Sequence, residues 1–148
     1  MEKIFLKAPA RVAVYRETID TGSLPPAPVI TRWTTWLSAA LFYCEHWTKF
    51  CQVIERLDED EAQSIRKVKN VIQKTTVNQD LAFIKSHLKF IISCIENLEK
   101  KGIDLNESLS TLESVEENVR AIPGSVGKNL KNKFKELMDL FIFDDHDS

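Results

Sequence analysis

The stretch LPPAPVITRWTTWLSAALFYCEHW, residues 24–47, decides how this chain folds. Its first part contains three prolines, which restrict the backbone to extended and turn conformations. Its second part repeats large apolar residues at intervals of three and four, which is typical of one face of a helix. The pattern predicts an extended loop, a short strand over Val29–Trp33, and a long helix that Thr34 or Thr35 caps and that runs to about Leu57.

The apolar stripe of this long helix is expected to form the centre of the hydrophobic core. The residues of the stripe are Trp36, Leu37, Ala40, Leu41, Tyr43, Cys44, Trp47, Phe50, Cys51 and Ile54. Further amphipathic segments follow, and we predict that they are helices. They begin at Asp58, near Asn78, at Asn106 and after Pro123-Gly124. The helix that begins near Asn78 is expected to continue unbroken to Gly102.

Short connections between amphipathic helices favour antiparallel packing of neighbours. The sequence therefore predicts an all-α fold: a bundle of about five amphipathic helices, preceded by a short N-terminal helix over Ile4–Glu17 and an extended Pro-rich segment. We expect three parts along the chain. They are the N-terminal helix, loop and extended segment over residues 1–33, the helical bundle over residues 34–143, and an acidic tail over residues 144–148.

Composition narrows the class of protein. The 148 residues are 43% hydrophobic and 28% charged with a formal net charge of −2, which argues against disorder and against a global basic field. No run of eighteen apolar residues occurs, and three scattered cysteines do not make a disulfide framework. We expect a soluble intracellular protein, nuclear or cytoplasmic, without a membrane partner.

Catalytic and metal sites are not indicated by the residue spacing. Cys44, His46 and Cys51 invite a zinc interpretation, but on a regular helix His46 points away from the side that the two cysteines share. No second pair of ligands completes a four-coordinate site, and no phosphate-binding glycine loop is present. We therefore predict no catalytic residue, no metal ligand and no cofactor.

Two features bear on nucleic acid. Lys128, Lys131 and Lys135 line one side of the last predicted helix, and Arg66, Lys67, Lys69 and Lys74 form a second basic cluster. Lysines of this kind can bind phosphates without reading sequence, but the sequence favours a solvated helix face as their explanation. Arg32 and Trp33 differ, because a Trp beside an Arg can stack on an unpaired base or can anchor the loop to the bundle, and the composition favours the anchor. The candidate nucleic-acid-binding residues are Arg32, Trp33, Lys128, Lys131 and Lys135.

The 24–47 stretch, with the preceding APARV at residues 8–12, resembles the interior of transposases of the hAT (hobo-Activator) superfamily. The similarity continues through DLAFIKSHLKFI, residues 80–91, and ESLSTLESVEENV, residues 107–119. In this family Thr-Arg-Trp resembles the junction between an RNase H-like catalytic core and an all-helical insertion. The resemblance implies that Trp33, with Arg32 beside it, holds a flipped base.

The resemblance also implies what this sequence lacks. The family's three metal-binding carboxylates lie upstream and far downstream of the matched stretch, and its Cys-x-x-His motif is absent here. We therefore expect no enzyme activity. The sequence favours a noncatalytic transposase-derived helical domain, which is a protein-interaction module or a remnant. The alternatives are nucleic-acid binding through Arg32, Trp33 and the lysine faces, or a truncated piece of a longer DNA transposase. DNA, a protein partner and self-association remain open as partners.

Overall fold

The computed structural model describes residues 4–29 and 32–144, with side chains described as far as residue 139. The all-α prediction is confirmed, and no strand occurs within these residues. The described part contains seven α-helices where the sequence predicted six. They are α1 (Pro9–Thr18), α2 (Trp33–Arg56), α3 (Gln63–Ile72), α4 (Thr75–His87), α5 (Phe90–Leu98), α6 (Leu105–Ala121) and α7 (Gly124–Asp144).

The helices form two compact units, residues 1–89 with α1 to α4 and residues 90–148 with α5 to α7. In the first unit α2 packs against α1, α3 and α4. In the second unit α6 packs against both α5 and α7. The predicted division of the chain at residues 33/34 and 143/144 remains a prediction. The short helix α1 packs directly on the long helix α2.

The core of the first unit is built around α2. As predicted, Leu37, Tyr43, Phe50 and Ile54 are buried, and Val53 joins them. The buried core cluster consists of Ile4, Phe5, Tyr15, Ile19, Tyr43, Phe50, Val53, Ile54, Leu57, Ile65 and Val68. Aromatic edges meet faces within it: the ring centroids are 4.9 Å apart for Tyr43 and Phe50 and 5.0 Å for Phe5 and Tyr15.

Several helix boundaries follow the sequence signals. Pro9 lies in the first turn of α1, where its missing N–H costs no helical hydrogen bond. The helix α2 ends at Arg56, one residue before the predicted end.

The helix α3, in contrast, begins at Gln63 and not at Asp58. The acidic residues 58–61 form a turn in which the Asp60 N–H donates to Asp58 Oδ1 (3.0 Å), and this local bond competes with helix formation.

The predicted helix from Asn78 to Gly102 is divided in the structure. The helix α4 begins earlier, at Thr75, and ends at His87, and α5 starts at Phe90. Apolar residues keep their helical spacing across the break, so periodicity alone does not reveal it. The break coincides with the boundary between the two units. The helix α5 ends at Leu98, four residues before the predicted stop at Gly102, which has φ +76° in the turn that follows.

The second unit has a smaller core. Val119 of α6 and Ile122, which follows that helix, are its buried apolar side chains among the described residues. The N-cap of α6 is Asp104, two residues before the predicted Asn106. A break at Pro123 and Gly124 separates α6 from α7 as predicted. Asp144 is the last residue of α7, and the rest of the predicted acidic tail lies outside the described residues.

None of the helices in the described ranges is both long and apolar enough to cross a membrane. The longest, α2, has 24 residues but carries charged and polar side chains along its exposed face. This finding agrees with the absence of an apolar run in the sequence.

Gly127 lies near the start of α7, where the packing leaves no room for a side chain. A Cβ atom at this position would lie 1.9 Å from the carbonyl oxygen of Ile122, so the backbone itself would have to shift. Ala is the better helix former by about 1 kcal/mol. The clash outweighs that gain, because overpacking against an immobile group costs about 1–3 kcal/mol.

We therefore expect Gly127→Ala to lower the free energy of unfolding by about 1–2 kcal/mol. Denaturant unfolding followed by circular dichroism measures this. Ser125→Ala, at an exposed position in the same turn, serves as the control and should change stability by less than about 0.5 kcal/mol. A Gly127→Ala variant as stable as wild type would contradict the close packing at Ile122.

Tyr15 is fully buried, and its hydroxyl has no hydrogen-bond partner among the described residues. Burial raises the pKa of this phenol above its usual 10.0, and the nearby Thr21 side chain offsets part of the shift. The folded protein therefore keeps the Tyr15 proton at a pH where the unfolded chain begins to lose it. This contribution to stability is complete below pH 10 and is lost as the pH rises through the folded-state pKa.

We expect Tyr15→Phe to keep the ring contact with Phe5 and to leave stability at pH 7 unchanged or higher by about 1 kcal/mol. Near pH 10.5 the variant should gain further on wild type, because phenylalanine has no proton to lose. Urea midpoints at the two pH values measure the difference. A variant that is less stable by more than about 1 kcal/mol at pH 7 would show that the hydroxyl has a partner.

Candidate interaction site

Trp33 is the first residue of α2, and Arg32 is the N-cap, with extended dihedral angles (φ −127°, ψ 100°). The prediction that Trp33 ends a strand is therefore wrong, because the helix already includes this residue. The Arg32 N–H donates to the Val29 carbonyl oxygen (2.9 Å). The two remaining positions of the predicted strand, residues 30 and 31, lie outside the described residues.

Thr35 ties the end of the Pro-rich loop to the helix. Its hydroxyl accepts a hydrogen bond from the Val29 N–H (2.9 Å) and donates to the Arg32 carbonyl oxygen (2.8 Å). The predicted cap at Thr34 or Thr35 is thus wrong in position: Arg32 occupies the cap, and its side chain makes no capping hydrogen bond. The bonds of Thr35 hold the backbone on both sides of the helix start, so they fix the position from which Arg32 and Trp33 project.

The two tryptophans of the first turn face solvent. Trp33 is 74% exposed and Trp36 is 47% exposed, and Val29 at the loop end is also exposed. Trp36 was predicted in the core, which is wrong, and Trp47 is half-buried. Residues of a helix are about 100° apart, so Leu37 can be buried while Trp36, its neighbour, points outward.

We call the surface formed by Arg32, Trp33 and Trp36 the aromatic surface. Its two exposed indole rings are unfavourable in water. A tryptophan buries roughly 150–250 Å² when covered, and each Å² of apolar surface removed from water contributes roughly 25 cal/mol. Covering the exposed parts of both indoles therefore removes from water apolar surface worth on the order of 5 kcal/mol, from which the cost of association is subtracted. Trp33 and Trp36 are three residues apart on α2, so their side chains are neighbours on the helix surface. Both indole rings can also stack on planar groups.

The structure places the predicted lysines in the other unit. Lys128, Lys131 and Lys135 are all exposed on α7, and Leu130 and Phe134 are half-buried. Lys131 and Lys135 line a groove of about 520 Å³ between α6 and α7. Glu116 and Asp139 line the same groove, so its charge is mixed.

The two units differ in net charge. Residues 1–89 contain 13 Lys and Arg and 10 Asp and Glu, a net charge of +3. Residues 90–148 contain 7 and 12, a net charge of −5. Arg32 and Trp33 therefore belong to the basic unit, whereas the three lysines of α7 belong to the acidic one. Phosphate binding is favoured more in the first environment than in the second.

The second basic cluster is partly neutralised within the first unit. Arg66 forms an ion pair with Asp60, with 2.9 Å between Nη2 and Oδ1. Lys69 is half-buried, while Lys67 and Lys74 are exposed. Among the described contacts, this cluster therefore offers at most two exposed lysines without an ion-pair partner. A single exposed charge of this kind adds little binding energy.

His46 marks a break in α2 that the sequence did not reveal. Its backbone is not helical (φ −109°, ψ 16°), although no proline or glycine is present to signal a kink. Its ring packs on Phe42, with 4.6 Å between centroids. A groove of about 450 Å³ beside this break is lined by residues 44–49 of α2, including Cys44 and His46, and by Asn78 of α4.

The thiols behave as packing groups. Burial raises the pKa of Cys51, with Glu55 adding to the effect, and burial raises the pKa of Cys94. A raised pKa keeps a thiol protonated near neutral pH, and the protonated thiol is a poor nucleophile. Among the described residues, no three His, Cys, Asp or Glu side chains come together as a set that could hold a metal ion.

No known family model matches the chain, and neither a curated protein nor a solved structure is significantly similar to it. Trp33 is exposed on a backbone that the hydrogen bonds of Thr35 hold in place.

We expect Trp33→Phe to leave the free energy of unfolding within about 0.5 kcal/mol of wild type, because the side chain is exposed. The variant should lose the part of the tryptophan fluorescence that acrylamide quenches most readily. Trp47→Phe, at a half-buried position of the same helix, is the control and should remove less quenchable emission. Equal quenching of the two variants would contradict the exposed position of Trp33.

Proposed function

We propose that this chain is a noncatalytic interaction module that contacts its partner through the surface formed by Arg32, Trp33 and Trp36. The 74% exposure of Trp33 is the observation that supports this proposal most directly. A side chain of this size on an exposed first turn adds nothing to the core, so its value lies in an intermolecular contact. Tryptophan and arginine are the residue types that contribute most energy at protein interfaces.

A hAT transposase origin is part of this proposal. The Thr-Arg-Trp junction, the aromatic helix that follows it and the blocks at residues 80–91 and 107–119 support it. In the family, the carboxylates that bind divalent metal lie outside the stretch that this chain resembles. No residue of this sequence is therefore assigned to metal-assisted phosphoryl transfer. The aromatic surface is what we infer this chain retains.

Nucleic-acid binding at the same surface is the second candidate function. It is favoured by the adjacency of Arg32 and Trp33 in the unit that carries a net charge of +3. An indole stacks on any unpaired base, worth about 1–3 kcal/mol, while a guanidinium pairs with phosphate. The lysines of α7 contribute less in this proposal, because their unit carries a net charge of −5.

Fluorescence anisotropy with single-stranded and hairpin DNA at two salt concentrations separates the two candidates. If the surface binds DNA, affinity should fall with salt, and Trp33→Ala should weaken it by about 10-fold or more. Trp33→Phe should restore part of the loss, since it restores an aromatic face. Leu109→Ala, another half-exposed apolar position but in the second unit, is the control and should bind like wild type.

Absence of salt-dependent binding, or binding indifferent to Trp33→Ala, would reject the nucleic-acid candidate. The protein-interaction proposal then predicts a partner that binds wild type and Leu109→Ala equally but loses affinity for the Trp33→Ala, Trp36→Ala double variant. Because covering the two indoles removes from water apolar surface worth about 5 kcal/mol, the loss of affinity should exceed 100-fold. A partner that does not distinguish the double variant would contradict the proposed surface.

A further inference from the structure

The groove between α6 and α7 has the size of a small-molecule site. Its volume is about 520 Å³, and it lies entirely within the second unit. Sites for small organic ligands in proteins usually have volumes of about 300–1,000 Å³. Its lining residues come from two helices that pack against each other, so this packing holds both walls of the groove.

One wall of the groove is a single stripe of α7. Lys131, Phe134, Lys135 and Met138 all line the groove, and they lie at positions i, i+3, i+4 and i+7 of the helix. Residues three and four apart on a helix are neighbours on its surface. Two lysines and two apolar side chains therefore share one side of α7, and this side faces the groove.

The apolar part of the lining can cover a hydrocarbon chain. Val119 of α6 is buried, whereas Phe134 and Met138 of α7 are only half-buried and still present apolar surface. Removing this surface from water is favourable. The unbranched thioether side chain of Met138 also adapts to irregular apolar shapes. The lining therefore favours a ligand with an apolar part.

The charged side chains of the lining leave an excess of positive charge. They are Glu116, Arg120, Lys131, Lys135 and Asp139, which are three positive and two negative groups. Arg120 and Glu116 form an ion pair with each other. Neither Lys131 nor Lys135 forms an ion pair among the described contacts, and the charge of Asp139 offsets only one of the two. An anionic group is therefore favoured beside the two lysines.

We propose that this groove binds an amphipathic anion: an unbranched hydrocarbon chain that ends in a carboxylate. The hydrocarbon chain covers Phe134 and Met138, and the carboxylate pairs with Lys131 and Lys135. These two lysines are four residues apart, so both ammonium groups can reach one carboxylate. Charge complementarity selects the anionic head group, and the apolar side chains between and beside the lysines select the chain.

This site is independent of the proposed function. The groove lies in the second unit, and none of its lining residues belongs to the aromatic surface. Failure of either proposal therefore leaves the other intact.

Isothermal titration calorimetry of the full chain with decanoate, below the concentration at which decanoate forms micelles, tests the proposal. We expect saturable one-to-one binding with a dissociation constant of about 1 mM or lower. Hexanoate should bind about 10-fold more weakly or worse, because each buried methylene adds affinity. Decyltrimethylammonium has a chain of the same length and a positive head group, and it should bind at least about 10-fold more weakly than decanoate, because the lysines repel it.

Two variants test the two parts of the site. The double variant Lys131→Gln, Lys135→Gln should weaken decanoate binding by about 5-fold or more, because it removes both charged partners of the carboxylate. The double variant Lys101→Gln, Lys128→Gln makes the same change in net charge at exposed positions of the second unit outside the groove. It is the matched control and should bind decanoate like wild type.

Met138→Ala tests the apolar part and should weaken decanoate binding by about 3-fold or more. Helical circular dichroism of every variant checks that the chain is folded.

Three results would overturn the proposal. The first is the absence of saturable decanoate binding, including the case in which the chain binds only vesicles of phosphatidylglycerol and phosphatidylcholine, since this indicates a membrane surface. The second is equal affinity for decanoate and decyltrimethylammonium. The third is decanoate binding that the variant of Lys131 and Lys135 weakens no more than the control variant does.

Discussion

Burial of one side of α2 is the constraint on which the first unit depends. This helix, Trp33–Arg56, packs against α1, α3 and α4, and it contributes Tyr43, Phe50, Val53 and Ile54 to the core cluster. The short helices around it have ten, ten and thirteen residues, lengths at which an isolated helix is marginal in water. Their stability therefore comes from packing against the long helix, and loss of the apolar stripe would leave them without a partner.

The same helix explains why its first turn is available for binding. The buried stripe begins at Leu37, and Trp33 and Trp36 before it are exposed. Thr35 then ties the loop to the helix by hydrogen bonds to Val29 and Arg32, so the tryptophans are presented on a fixed backbone. A rigid support of this kind lowers the entropy that binding must overcome.

The second unit is built differently. Its described core contains two buried apolar side chains, Val119 and Ile122, and α5 and α7 each pack against α6. A small core leaves amphipathic helices with incompletely covered sides.

Periodicity by itself determined the fold class, the extent of α2 and most of its buried residues, because a repeat of three and four specifies which side of a helix is apolar. The residue types also determined the break at Pro123 and Gly124, because proline and glycine interrupt a helix through their own backbone geometry. Periodicity could not determine the break between His87 and Phe90 or the kink at His46, since apolar spacing continues through both. Those features depend on how helices meet in three dimensions.

The site shows the same division. The sequence singled out Arg32 and Trp33 from their types and their place beside the Pro-rich loop. Only the tertiary structure decided that Trp33 belongs to the helix, that Trp36 faces solvent beside it, and that the lysines of α7 lie in a separate unit. The reason is physical. A residue's type sets what it can bind, whereas its exposure depends on which neighbours cover it, and those neighbours are distant in the chain.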